Sequence, residues 1–255
     1  MAKILLTNDD GYKSILSEIL FDVLVNEGHE VYFVAPNVQQ SGTGNTISFI
    51  TPIRAWKGSL FKREIFIVEG TPSDCVIYAL NELDVKFDLV VSGINSCDNT
   101  SYHNIFKSGT CGAAMEAGFY GIPSVAFSTV IADMKLVQSN EKSLYGLSLQ
   151  KIKIMVDKSV KIINKILQKS KSSLGKILFT NVTFPEDLTE KTPKRLTVPA
   201  LRKYTDSLEH RKDPRGLDIY WIWGVRNINQ AEASDVYCVF IDQMISISEI
   251  KLEKV

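Results

Sequence analysis

Two rhythms of apolar and polar positions alternate along this chain. Lys3 to Thr7 carries Ile4-Leu5-Leu6 as one apolar run, which predicts a first strand. Ile15, Ile19, Leu20, Val23 and Leu24 then fall at helical spacing, and Gly28 ends that stretch. Glu30 to Ala35 predicts a second strand and Ile65 to Val68 a third, with a helix over about Ser73 to Leu83. Phe87 to Val91 is nearly all apolar, as a strand covered on both faces should be. A helix near Gly112 to Tyr120 leads to a fifth strand, Ser124 to Phe127. Strands that alternate with helices predict the α/β class, with a mostly parallel sheet and helices on both faces.

The rhythm lapses between Ser41 and Glu64. There, Ile47 to Ile53 and Leu60 to Ile67 read as an antiparallel excursion around Lys57-Gly58. A long helix over about Ser148 to Lys169 has an apolar stripe of Ile152, Met155, Val156, Ile163, Ile166 and Leu167, with lysines on its solvated face. Ile177 to Val182 predicts a further buried strand. After Pro185 the texture changes. Leu196 to Tyr204 and Leu217 to Trp223 read as extended segments joined by a charged loop, with Trp221 and Trp223 on one face. The chain thus divides into an α/β core, 1–190, and a C-terminal hairpin arm and tail, 191–255, the latter expected to serve oligomerisation.

Composition narrows the picture. The 255 residues hold 29 Lys plus Arg against 29 Asp plus Glu, so charge gives no argument for nucleic acid or an anionic membrane as partner. No apolar stretch approaches the ~20 residues of a membrane span, and no leader-like segment precedes the first strand. Cys75, Cys97, Cys111 and Cys238 form no CxxC pair and have no zinc-like spacing with the three histidines. Reduced thiols and a cytoplasmic location are expected.

The chemistry lies at the strand ends, where open α/β sheets bind ligands. Asn8, Asp9, Asp10 and Gly11 follow the first strand. Asn37 and the run Gln40-Ser41-Gly42-Thr43-Gly44-Asn45 follow the second. Gly70-Thr71-Pro72-Ser73-Asp74 follows the third, and Ser92-Gly93-Ile94-Asn95 the fourth. Thr71-Pro72-Ser73-Asp74 is a helix start, with Thr71 as N-cap. The 41–45 run matches neither a dinucleotide fingerprint nor a Walker A loop. Two carboxylates ~4 Å apart repel by several kcal/mol at an effective dielectric of ~20, and a cation reverses that sign. Two carboxylates, a hydroxyl and an amide carbonyl gathered at one edge are hard oxygen donors that suit Mg²⁺ or Mn²⁺. Ser108-Gly109-Thr110 opens a small-residue helix, and such an N-terminus binds anions. Metal plus anion site points to a phosphate ester.

These residues resemble a known family. Ile4 to Gly11, Val34-Ala35-Pro36 with Gln40-Ser41-Gly42, Gly70 to Cys75, and Val90 to Asn95 are similar to the SurE (survival protein E) family. So are Ser108-Gly109-Thr110, Gly121 to Ser124, Asp213 to Gly216 with Tyr220-Trp221, and Ser246 to Ser248, in order along nearly the whole chain. The resemblance implies a Rossmann-like three-layer sandwich with a C-terminal β arm. It implies a metal-dependent nucleotidase that hydrolyses nucleoside 5′- and 3′-monophosphates, with some activity on short polyphosphate. One divalent ion, Mg²⁺ or Mn²⁺, is expected on Asp9, Asp10, Ser41 and Asn95. Catalytic roles fall on Asp9, Asp10 and Asn8, and phosphate binding on Gly42, Asn99, Ser108, Gly109 and Thr110. Homodimers or homotetramers are expected. The chain departs from the family pattern where Leu16, Cys97 and Ser101 replace glycines. A phosphatase with an aspartyl nucleophile fits less well, because such carboxylates stand two apart and these are adjacent. A metal- and nucleotide-binding regulatory protein of the same fold is the alternative.

Overall fold

The computed structural model of the protein describes residues 1–60, 62–131, 147–169 and 177–252. Its main sheet has nine strands: β1 (Lys3–Thr7), β2 (Glu30–Pro36), β3 (Ala55–Leu60), β4 (Arg63–Val68), β5 (Leu89–Asn95), β6 (Ser124–Thr129), β7 (Ile177–Phe184), β8 (Lys194–Leu196) and β11 (Ile245–Lys251). Their spatial order is β3-β4-β2-β1-β5-β6-β7-β11-β8. The six central strands, β4 to β7 across the sheet, are all parallel. The sheet grows outward from β1 to β2 and β4, then restarts on the other side of β1 with β5. The gap between β1 and β5 is therefore the switch point at which such sheets bind ligands.

Strand alternation assigns the two faces. Ile4 and Leu6 of β1 pack with Leu16, Leu20 and Leu24 of α1 (Ile15–Asn26) and with Ile152, Met155 and Ile163 of α5 (Leu149–Gln168). Leu5, between them, packs on the other face with Val76 and Ala79 of α2 (Pro72–Glu82) and Ala113 and Ala117 of α4 (Gly109–Phe119), the short α3 (Tyr102–Ile105) lying between these two along the chain. Helices cover both faces, as the near-continuous apolar strands require. The result is the expected Rossmann-like three-layer sandwich. Helix starts follow local chemistry: Thr71 and Asp74 form a reciprocal capping box on α2, and Ser14 and Ser148 cap α1 and α5.

Two expectations need correction. The antiparallel excursion exists, but its first strand is β3, Ala55–Leu60, and not 47–53; Lys57-Gly58 lies within it. Segment 47–53 is instead fastened as loop, with Ser48 bonded through its N–H and Oγ to Asp74 at 2.8 and 2.7 Å. The arm is β9 (Tyr204–Lys212) paired antiparallel with β10 (Asp218–Arg226), so its first strand lies beyond 196–204 and takes in the charged stretch read as a loop. Both faces of this hairpin meet solvent, so its apolar and charged residues show no strand periodicity. Outside the arm, β11 pairs with β7 and β8 with β11, so both belong to the main sheet. Among the described residues, β9 and β10 form the second, two-stranded sheet.

Candidate active site

The loop after β1 is shaped by Asn8. Its Oδ1 accepts the Gly11 N–H at 2.9 Å, and its Nδ2 donates to the Gly11 carbonyl at 3.1 Å and to Ser17 Oγ at 2.6 Å. Ser17 Oγ in turn donates to the Gly93 carbonyl on β5 at 3.0 Å. Gly11 supplies the left-handed φ of +91° that this turn needs. Asn8 is fully buried, and its bonds join the loop after β1 to α1 and, through Ser17, to β5.

That turn delivers the two carboxylates to the switch point. Asp9 is 3% exposed, and Thr110 Oγ1 donates to its Oδ1 at 2.5 Å. The Gln40 N–H donates to the Asp9 carbonyl at 2.7 Å. Gly109 comes so close that a Cβ there would lie 2.9 Å from Asp9 Cβ and 2.9 Å from Thr43 Oγ1. The loop after β1, the loop after β2 and the start of α4 therefore converge on Asp9. Asp10 is directed toward the end of β5, where the Ser96 N–H steadies it, and its Oδ2 is buried without a hydrogen-bond partner.

Burial without a countercharge disturbs both acids. Desolvation raises the Asp9 carboxyl, against the bond from Thr110. Desolvation, then the charge of Asp9, pushes Asp10 up to about 7. Among the described residues, no Lys, Arg or His forms a salt bridge with either. A positive charge is what this pair lacks.

Asn95, at the end of β5, is buried; its Nδ2 donates to the Cys97 carbonyl at 2.8 Å, which leaves the amide oxygen as an acceptor. Ser41 is exposed, one residue beyond the Gln40 bond to Asp9, and its Oγ accepts from Gln39 at 3.0 Å. Gly42 is exposed with open space around it. No group of three or more His, Cys, Asp or Glu that could hold a metal occurs among the described residues. A set of two carboxylates, one hydroxyl and one amide is of a different composition, and its hard oxygens match what Mg²⁺ or Mn²⁺ prefers.

The phosphate-binding candidates line the other wall. Ser108 caps α4 by accepting the Cys111 N–H at 3.1 Å, so its hydroxyl proton remains for another acceptor. Asn99 is 4% exposed, and its Nδ2 is buried without a partner. Its backbone is held on both sides: its N–H donates to Ser128 Oγ at 3.2 Å, and its carbonyl accepts from Asn181 Nδ2 at 2.9 Å. Ser128, Asn181, Asp98, Lys203 and Asp235 were not foreseen. Each acts across strands or loops far apart in sequence. The one available signal was a polar Asn inside the apolar run 177–184. Asp235 receives the Ser101 N–H at 2.7 Å and the Ala200 N–H at 2.9 Å, and burial nonetheless pushes its carboxyl up to about 6.

Known proteins are similar to this chain. The family model described as Survival protein SurE matches residues 4–206. A curated relative from Methanospirillum hungatei, named 5′-nucleotidase SurE, is 38% identical over 250 residues, which cover 98% of this chain and 86% of that protein. One of the same name from Hyperthermus butylicus is 32% identical over 252 residues, covering 98% of this chain and 85% of the relative. The crystal structure of the SurE protein from Aquifex aeolicus matches with a TM-score of 0.77 and 28% identity, over 99% of this chain and 94% of that one. On the family model and these relatives together, the chain belongs to the SurE family.

Proposed function

We propose that this protein is a metal-dependent nucleotidase that hydrolyses nucleoside 5′-monophosphates, and 3′-monophosphates and short polyphosphate as further substrates, to release phosphate. The observation that carries the reading is the Asp9-Asp10 pair, Asp9 buried and Asp10 half-buried with a buried Oδ2, which has no lysine, arginine or histidine paired to it among the described residues and faces the N-terminus of α4 across the switch point. Relatives of this chain bear the name 5′-nucleotidase SurE.

The residues fit one divalent cation per subunit, Mg²⁺ or Mn²⁺, on Asp9, Asp10, Ser41 and Asn95. When bound, such an ion withdraws charge from phosphoryl oxygens and acidifies water. The chain's own groups supply the rest. Free N–H groups at the start of α4 and the hydroxyl of Ser108 bind the phosphate oxygens, with Thr110, whose hydroxyl proton goes to Asp9, beside them. The unpartnered amide of Asn99 orients them, and the exposed Ser41-Gly42 turn gives access. Thr110 holds Asp9 in one rotamer, and the Asp pair offers a place for the proton lost by attacking water.

The arm is read as an oligomerisation element of a homodimer or homotetramer. Leu208, Tyr220, Trp221, Ile222, Trp223 and Val225 are each more than half exposed on it, an apolar surface that a second copy would cover. The reading places the enzyme in the cytoplasm, with neither nucleic acid nor membrane as partner; no described helix is long and apolar enough to cross a membrane.

The test is phosphate release from a panel of nucleoside 5′- and 3′-monophosphates with Mg²⁺ or Mn²⁺, beside thermal unfolding with and without each metal. A cation at 100 times its Kd should add about 2.7 kcal/mol of stability. Absence of phosphate release across the panel, with or without a thermal shift, defeats the nucleotidase reading.

A further inference from the structure

The loop between Asn95 and Ser108 carries four consecutive buried polar residues, Asp98, Asn99, Thr100 and Ser101. One lysine reaches them from far along the chain. Lys203 is fully buried; its Nζ donates to Asp98 Oδ1 and, at 2.9 Å, to Thr100 Oγ1. Thr100 Oγ1 also donates to the same Asp98 oxygen, at 2.6 Å. The ammonium therefore grips the residues on either side of Asn99, whose own backbone Ser128 and Asn181 hold. Lys203 is also the last residue before β9, and its carbonyl accepts the N–H of Asn227, just past β10, at 2.6 Å. One residue closes the root of the arm with its backbone and the loop with its side chain.

Stability alone is a weak reason for such a pair. Two charges must leave water to form it, and an apolar pair of like volume commonly serves as well. What the pair adds is direction. Coulomb attraction and hydrogen bonds set Asp98 and Thr100 in one place, and an apolar contact would let them slide. We infer that Lys203 is a positioning residue for the phosphate site. Acting through Asp98 and Thr100, it fixes the loop so that the Asn99 amide meets the phosphate, and it ties that loop to the root of the arm. This inference rests on the nucleotidase reading above.

The experiment compares the full-length protein with D98N/K203M, which removes both charges together, each with and without Asn99→Ala. For each, kcat and KM are measured for phosphate release from a nucleoside 5′-monophosphate with Mn²⁺. D98N/K203M should lose about ten- to a hundredfold in kcat/KM, the scale of a small misplacement of a binding group. Adding Asn99→Ala should then cost nothing beyond what Asn99→Ala costs alone, because Lys203 acts through Asn99. Losses that multiply, or unchanged kinetics in D98N/K203M, overturn the inference. If the double variant does not fold, Lys203→Arg takes its place, since it keeps the charge and alters its direction; the same comparison with Asn99→Ala applies. Amide hydrogen exchange over residues 96–107 needs no turnover. Faster exchange confined to that segment is expected, and unchanged exchange overturns the inference. A wild-type protein that releases no phosphate defeats the nucleotidase reading instead, and exchange then decides whether Lys203 holds the loop.

Discussion

Two buried carboxylate sites stand within one loop of each other, and the fold treats them in opposite ways. At Asp98 the chain supplies its own cation. Burial works against the charge of Asp98, but Lys203 and the bonds from Lys203 and Thr100 outweigh it and hold the carboxyl below its usual value. At Asp9 and Asp10 the chain supplies none among the described residues, and burial raises both. A built-in lysine gives a permanent, fixed contact. A missing one leaves a place for an exchangeable cation that can meet a substrate. The first arrangement orients a loop, and the second keeps a reactive centre open.

The comparison breaks most sharply at the open pair. Asp10→Ala should lower phosphate release by about 10⁴-fold or more, about 5.5 kcal/mol of barrier. Its unfolding midpoint in metal-free buffer should be no lower than wild type, because a repulsion has been removed. Near-normal turnover would show that the pair is not the reactive centre. At the closed pair the effect should fall on stability. Lys203→Met alone leaves Asp98 buried and uncompensated and should cost about 3–5 kcal/mol in denaturant unfolding. D98N/K203M should recover most of that loss, and equal losses in both variants would show that charge is not what matters there.

Acid should separate the sites more gently. Because the Asp98 carboxyl is lowered in the fold, its contribution is complete well above the unfolded value of about 3.9 and is lost as pH falls below it. Wild-type stability should therefore drop relative to D98N/K203M below about pH 4, in unfolding curves measured from pH 6 to 3. A constant difference across that range would argue against the lowered carboxyl. The smallest effect is local. Ser101 holds φ +71° and ψ 146°, a conformation suited to glycine. Relief of ~1–3 kcal/mol of strain, less ~0.4–1 kcal/mol of added freedom in the unfolded chain, should make Ser101→Gly about 1 kcal/mol more stable. A destabilised Ser101→Gly would mean that the Ser101 side chain itself is needed. Cys97, the neighbouring replacement, keeps an ordinary φ, and Leu16 lies in the core of α1, so neither position calls for glycine here.

Much of this was legible in the residues. The central strands are apolar because helices cover both their faces, so a purely local pattern reports their place. The residues after each parallel strand must lie at one edge, which is why Asp9, Asp10 and Asn95 could be grouped before any geometry was known. The Thr71-Pro72-Ser73-Asp74 cap was legible because a helix start depends on its own few residues. Where neither face of a strand is buried, as in β9 and β10, the pattern vanished and the boundaries slipped.

The sequence by itself thus determined the fold class, the strand ends that form the site and the family motifs, because each depends on short-range periodicity or on a topological rule. Tertiary structure decided the rest. It turned Asn8 inward, and it set Asn181 against Asn99 across 82 residues and Lys203 against Asp98 across 105. No local pattern marks a partner that distant. Each residue alone reads as an ordinary polar position, and only the packed chain shows which charges share a dry space and which were left without one.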